Sequence, residues 1–265
     1  MTESLIDPRA IVSPRAEIAP DVCVGPFSII EAGTVVGAGT RIDSHVRIRT
    51  GTRLGRENVV HPGAVLGGEP QDRAYDGSPS RLEIGDRNVF REGVTANRGT
   101  AAGSETRIGS DCFLMANAHV GHNAVVGNGA ILANGALLGG HARVGDQVFL
   151  SGNAVVHQHI RAGRLGMVQG TGALSADLPP FCISSGVNIL RGVNVVGLRR
   201  AGLDSAGIKA VRYAFRKLFL GKPNLGRARE RLREELAETG GPSPEVEEML
   251  DFLDSGTRGF CAVDA

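Results

Sequence analysis

An aliphatic residue returns at every sixth position along most of this 265-residue chain, and that period leaves few ways to fold. The first run goes Ile6, Val12, Ile18, Val24, Ile30 and on to Leu66. A short run holds Ile84, Phe90 and Ala96, and a third goes from Ile108 through Leu114, Val120 and Val126 to Leu174. An α-helix repeats its buried stripe about every 3.6 residues and a strand every two, so neither produces six. A triangular prism does. Each hexad supplies one short strand and one turn, three hexads close a coil of about 18 residues, and the aliphatic side chain points inward. Four positions after it the residue is small, as in Ala118, Ala124, Ala130, Ala136, Ala142 and Ala154, which suits a tight interior. Glycine often follows the aliphatic residue, as at Gly25, Gly37, Gly121, Gly127 and Gly145, where a corner needs backbone angles that other residues resist. The period predicts a mainly β protein, a left-handed parallel β-helix of hexapeptide repeats whose coils stack at about 4.8 Å.

Two polar stretches, Gly67 to Glu83 and Ala101 to Arg107, break the period and read as loops leaving the prism. A long loop on a rigid scaffold is a place to look for function. Beyond about Val187 the spacing turns helical. Asp204 to Leu220 carries Ile208, Val211, Phe215, Leu218 and Phe219 on one face, with Asp204 or Ser205 as N-cap. Gly226 to Thr239 and Pro244 to Leu253 read as two more helices, the last capped by Ser243 with proline in its first position. The expected organisation is a β-helix domain over residues 1–186 and a C-terminal α-helical tail over 187–265. Thirty-eight glycines, 4% aromatic residues and no tryptophan fit thin layers of aliphatic side chains.

The net charge of +1 points to no partner class, and no nucleic acid is expected. The stretch from Arg199 to Arg233 is locally basic, with Lys209, Arg212, Arg216, Lys217, Lys222 and Arg227 among its cations. It reads either as a solvated amphipathic face or as a docking surface for an acidic partner. No run approaches the roughly 18 apolar residues of a membrane span, and the N-terminal residues lack the basic and apolar regions of a signal peptide. Cys23, Cys112, Cys182 and Cys261 are scattered without metal-ligand spacing, as expected of reduced thiols in a cytoplasmic protein.

Five of seven histidines fall between residues 119 and 159. With a coil of about 18 residues, His141 stacks under His159, and Asn123 occupies the same place one coil earlier. His122 adjoins Asn123 and His157 lies two positions before His159, so four imidazoles line one edge, with His119 a short strand earlier. Three uses stay open. The rings can be ordinary polar groups on outward turns. They can be metal ligands, although no carboxylate or cysteine joins them and the edge is convex. They can be a general base with neighbouring substrate-binding imidazoles, in a cleft that a second prism would close.

The strings Leu114-Met-Ala-Asn-Ala-His-Val-Gly-His122, Gly139-Gly-His141, Val156-His-Gln158, Pro179-Pro180 and Gly192-Val-Asn-Val-Val-Gly-Leu-Arg-Arg200 resemble the acyl-carrier-protein-dependent UDP-N-acetylglucosamine O-acyltransferases of lipid A biosynthesis. Gln71-Asp72, Glu83-Ile-Gly-Asp-Arg-Asn88, Arg98-Gly-Thr100 and Ser255-Gly-Thr-Arg-Gly259 match as well, so the likeness spans nearly the whole chain. The resemblance implies a homotrimer with sites between subunits. It also implies direct transfer of a β-hydroxyacyl group from acyl carrier protein to the sugar 3-hydroxyl, with no metal or organic cofactor. By position, His122 would be the general base and the Gly140 N–H the oxyanion donor. His119, His141, His157, Gln158, Gln71 and Asp72 would position substrates, Asn194 and Arg200 would contact the nucleotide phosphate or the acyl donor, and the basic tail would meet the acidic carrier protein.

Three positions depart from the family pattern. Asn123 stands where the family has an aspartate after the base, Ala74 where it has a lysine, and Asn97 where it has a histidine before Arg-Gly-Thr. An amide fixes an imidazole tautomer but cannot stabilise imidazolium by charge. The departures leave two alternatives beside the main expectation: an acyltransferase for another sugar nucleotide, including an amino sugar, or a non-catalytic paralogue. Gly170 occupies the position at which the family gauges acyl length, and the residues do not fix that length.

Overall fold

The structure, a computed structural model, describes residues 5–221, 224–238 and 240–264. The chain winds into the expected left-handed parallel β-helix. Face I is a nine-stranded sheet from Ile11–Val12 to Ala173–Leu174, and face II is eight-stranded, from Glu17–Ile18 to Arg161–Ala162. Face III has eleven strands, beginning at Cys23–Val24 and extending past Met167–Val168 into the C-terminal region. The sixth-position residues fill the prism: Ile30, Leu66, Phe90, Leu114, Leu138 and Val156 are at most 1% exposed. Ala118, Ala124, Ala130, Ala136, Ala142 and Ala154 are wholly buried, as their size required.

Neighbouring strands pair Ile30 with Ile48, then Leu66 with Ala96, Ala96 with Val120, and Val120 with Leu138. The offsets 18, 30, 24 and 18 show that the first excursion inserts twelve residues into a coil and the second six. Both lengths keep the hexad phase. The first excursion is shorter than its polar stretch suggested, and the second is as long but starts three residues earlier. Strands Val65–Gly68, Arg81–Ile84 and Glu105–Ile108 claim the ends of those stretches, leaving 69–80 and 98–104 as loops. Arg81, Leu82 and Glu83 pair in register with Glu105, Thr106 and Arg107, which satisfies the backbone before the chain departs. The polar residues there are mostly the outward members of a strand.

The tail contains more β-structure than its sequence suggested. Cys182–Ser185 and Ile189–Val193 form an antiparallel hairpin on the end of face III, and Ala262–Val263 returns to pair with Ile189 and Leu190. The helices are α1 (Val195–Arg200), α2 (Ser205–Phe219), α3 (Leu225–Ala237) and α4 (Pro244–Asp254). Asp204, not Ser205, caps α2, and Ser243 caps α4 with Pro244 at its start. Lys222 and Thr239 lie outside the described residues. A latch closes this end: Asp177, 1% exposed, accepts from Arg161 Nε at 2.7 Å, and the Arg161 guanidinium lies over Phe252 and donates to its carbonyl.

The outer surfaces of the faces differ. The outward column of face II is mostly charged, running Glu17, Val35, Arg53, Glu83, Arg107, Val125, Arg143 and Arg161, with pairs such as Arg53–Glu83 at 3.7 Å. Face III presents Val59, Val89, Phe113, Ile131, Phe149 and Met167 in one half-buried vertical stripe. Face I adds Val65, Leu137 and Val155, with Leu137 41% exposed.

Candidate active site

Both excursions leave the prism at the corner between faces I and II, and the histidine turns 121–124, 139–142 and 157–160 occupy that same corner in the following coils. Asn123, His141 and His159 take left-handed backbone angles (φ 60, 60 and 63°), which turns successive side chains outward in one column. Each pays for that strain with a hydrogen bond to the coil below. The His141 N–H donates to His122 O at 2.8 Å and the His159 N–H to Gly140 O at 3.1 Å. At Asn123 the loop 98–104 has left the corner, and Thr106 Oγ1 accepts instead at 2.7 Å. His141 and His159 stack at 4.6 Å with 14° between rings, while His122 meets His141 edge-on at 5.3 Å.

The orientation of His122 follows from its neighbours. The Thr100 backbone N–H donates to Asn123 Oδ1 at 3.1 Å, so the atom of that amide facing the loop has to be the oxygen. The Thr100 hydroxyl donates to the same oxygen at 2.9 Å and lies 2.8 Å from His122 Nδ1, which is itself 3.1 Å from Asn123 Oδ1. Oδ1 can only accept, and a hydroxyl that donates to it keeps its lone pairs for an N–H. The consistent arrangement puts the imidazole proton on Nδ1 and leaves Nε2 bare. Asp72 Oδ2 stands 3.9 Å from Nε2. On the other side is Gly140: a Cβ there would fall 2.4 Å from Nε2, so only glycine admits the ring. The Gly140 N–H has no acceptor among the described residues. A bare basic nitrogen thus lies against a residue whose backbone N–H is free, the two groups that proton removal and oxyanion stabilisation call for.

Asp72 is held by its own loop, its Oδ1 accepting from the Ala74 N–H at 2.9 Å, and Gln71 beside it is exposed. Asn97, 6% exposed, donates from Nδ2 to Glu69 O at 2.7 Å, while its buried Oδ1 has no partner. His119 Nδ1 lies 2.7 Å from Thr95 Oγ1. Burial, together with the nearby His122, lowers the His119 pKa; at His141 partial burial and the neighbouring His159 and His122 do the same. Neither imidazole is disposed to carry charge near neutrality. His157, Gln158 and His159 are exposed on the last turn of the column. Burial pushes the Cys112 thiol up to about 11 and Cys261 up to about 12, so neither offers a thiolate nucleophile. Among the described residues no three His, Cys, Asp or Glu side chains converge as metal ligands.

Three expected site residues lie elsewhere in the protomer. Gly170 is exposed in the turn between faces III and I, away from the histidine corner. Asn194 spends its amide on the fold, Oδ1 accepting from the Gly197 N–H at 3.0 Å to cap α1 and Nδ2 donating to Leu165 O at 2.8 Å. At 7% exposure both ends of its amide are engaged by the fold. Arg200 is the exposed last residue of α1, the helix that begins where Asn194 meets Leu165 O. Sequence reasoning missed the parts played by Thr95 and Thr100. Their signal was the register, which sets Thr95 against His119 and brings Thr100 into reach one coil below His122.

The chain was compared with known proteins. A family model described as Udp N-acetylglucosamine O-acyltransferase, domain 2, matches residues 177–261, and one for the bacterial transferase hexapeptide (six repeats) matches 105–140. The acyl-[acyl-carrier-protein]–UDP-N-acetylglucosamine O-acyltransferase of Stenotrophomonas maltophilia is 42% identical over 77% of this chain and 77% of its own. The Burkholderia orbicola protein of the same name is 40% identical over 78% and 80%. The solved structure of LpxA from Acinetobacter baumannii superposes with a TM-score of 0.91 at 34% identity, covering 98% of this chain and all of that one. With such identity along most of both chains, and the same fold from prism to tail, this chain belongs to the acyl-carrier-protein-dependent UDP-N-acetylglucosamine O-acyltransferase family.

Proposed function

We propose that the protein transfers a β-hydroxyacyl group from acyl carrier protein to the 3-hydroxyl of UDP-N-acetylglucosamine, the first step of lipid A biosynthesis. One observation carries the reading: His122 has Nδ1 tied to Thr100 and Asn123, and its bare Nε2 packs against Gly140, whose N–H is left without an acceptor among the described residues. Nε2 takes the proton of the sugar hydroxyl as its oxygen attacks the thioester carbonyl. The Gly140 N–H donates to the oxyanion, and such a donor supplies about 3 kcal/mol in comparable sites. As the C–S bond breaks, His122 returns the proton to the leaving sulfur, yielding ester and free carrier thiol. Base and donor suffice for this chemistry, so no cofactor is assigned. Gln71, Asp72, Asn97, His119, Asn123, His141, His157 and Gln158 surround the acceptor, Gly170 bears on acyl length, and Arg200 on the nucleotide phosphate or acyl donor.

The working form in this reading is a cytoplasmic homotrimer. Its support is the contrast between the apolar outer stripes of faces I and III and the charged face II. Packing face I of one protomer on face III of the next closes a ring of three and sets a second wall beside the exposed histidine corner. Residues 1–186 then carry the chemistry and residues 187–265 the basic surface that meets the carrier protein. No helix among the described residues is long and apolar enough to cross a membrane.

A second reading, an amino-sugar nucleotide as acceptor, is favoured by one feature. The orphan Oδ1 of Asn97 and the Asp72 carboxylate make the acceptor side rich in hydrogen-bond acceptors, with Ala74 supplying no cation. An amine offers more N–H donors than a hydroxyl does. The test is turnover of the purified protein with β-hydroxyacyl carrier protein and either nucleotide. Transfer to UDP-N-acetylglucosamine that His122→Ala abolishes, with nucleotide binding retained, supports the first reading. Transfer only to the amino sugar supports the second, and transfer to neither removes both.

A further inference from the structure

The guanidinium of Arg98 is buried (side chain 8% exposed) where an ion is costly, and it lies on a loop rather than in the core. Its close partners are neutral: Nη1 donates to Gly67 O at 3.0 Å, and Nη2 to Tyr75 Oη at 2.8 Å, with the Tyr75 ring beneath it. The one carboxylate near it, Glu69, stands at 3.8 Å and is 55% exposed. The arginine backbone also takes part, its N–H donating to Gly68 O at 2.9 Å. All these contacts fall at the root of the loop 69–80 or within it.

Two residues later the same short segment turns to the other side of the site. Gly99 is so closely packed that a Cβ would meet the Ser104 backbone at 2.6 Å, which fixes the path into Thr100. Thr100 then holds His122 Nδ1 and Asn123 Oδ1. Segment 97–100 therefore grips the Asp72 loop with one end and the base with the other. The outcome of that double grip is the 3.9 Å separation between Asp72 Oδ2 and His122 Nε2.

We propose that Arg98 and Tyr75 are positioning residues for the acceptor: through the loop 69–80 they set Asp72 beside the nitrogen that takes the acceptor proton. This rests on the acyltransfer reading for its substrate but on the loop contacts for its mechanism. Arg98 touches neither His122 nor the reacting atoms. Its contribution appears in acceptor affinity, whereas Thr100 acts on the base.

The experiment compares Tyr75→Phe, Asp72→Asn and the double variant by steady-state kinetics with UDP-N-acetylglucosamine and β-hydroxyacyl carrier protein. Tyr75→Phe keeps the ring under the guanidinium and removes only the hydroxyl, so folding is spared. We expect it to raise the acceptor KM about five- to tenfold, the scale of one charge-assisted hydrogen bond, with kcat within about twofold. In the Asp72→Asn background the same change should alter KM less than about twofold, because its effect runs through Asp72. An unchanged KM, or an equal effect in both backgrounds, overturns the proposal. If the wild type transfers nothing to this acceptor, the function reading fails separately, and hydrogen exchange of peptides covering 69–80 decides. Faster exchange there in Tyr75→Phe and Arg98→Lys, with 121–142 unchanged, upholds the tether, and identical exchange refutes it.

Discussion

Replacing Asn123 by aspartate asks how much of this site's power depends on charge. The change keeps the oxygen that accepts from the Thr100 N–H and hydroxyl at 3.1 and 2.9 Å, so the backbone, the loop and the His122 tautomer stay as they are. What is added is a negative charge about 3–4 Å from His122 Nδ1, now 3.1 Å from the amide oxygen. At 4 Å such a pair interacts by about 1 kcal/mol in water and about 4 kcal/mol at an effective dielectric near 20. The His122 side chain is 12% exposed, between those limits, and about 2 kcal/mol is a fair middle value, equal to roughly 1.5 pH units. A carboxylate favours imidazolium, so a higher pH is needed to keep the base neutral. The acid limb of the kcat/KM profile should therefore move up by about 1.5 units. The charge forms only partly in the transition state, so the plateau above that limb should rise by less, about tenfold. The assay is transfer rate against pH for wild type and variant at matched ionic strength. A limb that stays in place, or moves to lower pH, would refute the account of His122 as the base oriented by residue 123.

Three further outcomes follow from the same geometry. Gly140→Ala places a methyl 2.4 Å from His122 Nε2 and should cost at least about a hundredfold in turnover, with thermal unfolding little changed because that backbone lies outside the glycine-only region. For pH, His119 and His141 titrate lower in the folded protein than in the unfolded chain, so the unfolded chain binds more protons as pH falls below the ordinary histidine value. Melting temperature should fall with acidification from about pH 6.5, and less steeply in His119→Gln; equal slopes in calorimetry would remove His119 from that account. Phe149→Arg puts a cation in the middle of the apolar stripe on face III, and sedimentation should find the variant monomeric beside a trimeric wild type, as the proposed assembly requires. An intact Phe149→Arg trimer would mean that another face makes the contact.

Much of the fold was legible because the inward side chains repeat without drift. Both excursions insert whole hexads, so the count from Ile6 to Leu174 continues through them. The column of Asn123, His141 and His159, with His122 beside its first member, followed from arithmetic on 18. Where the repeat stops, so did legibility. The hairpin 182–193 and the strand Ala262–Val263 have no periodic mark of their own and exist because face III offers an edge to pair with. The loop ends were misjudged because Arg81, Glu83, Glu105 and Arg107 look like loop residues until their register is known. Within the site, Thr100 and Arg98 were visible only as letters of a matched string. Their work depends on a corner that brings residues 23 and 31 positions apart into contact. Asn194 shows the converse: its position in the string suggested a ligand, and the start of a helix used it as a cap.

The latch at the C-terminal end has a consequence for how the molecule comes apart. Each coil touches only its neighbours above and below, so the prism is nearly one-dimensional and its stability accumulates link by link. Arg161 and Asp177 interrupt that local bookkeeping by joining one late coil to Phe252 and Ser255, some ninety residues away in sequence. Tail and terminal coils then open together as one cooperative unit, while the coils holding His122 and Gly140 keep their own protection. On the proposed function, damage at that end would leave the His122 corner in place while removing the basic surface assigned to the acyl donor.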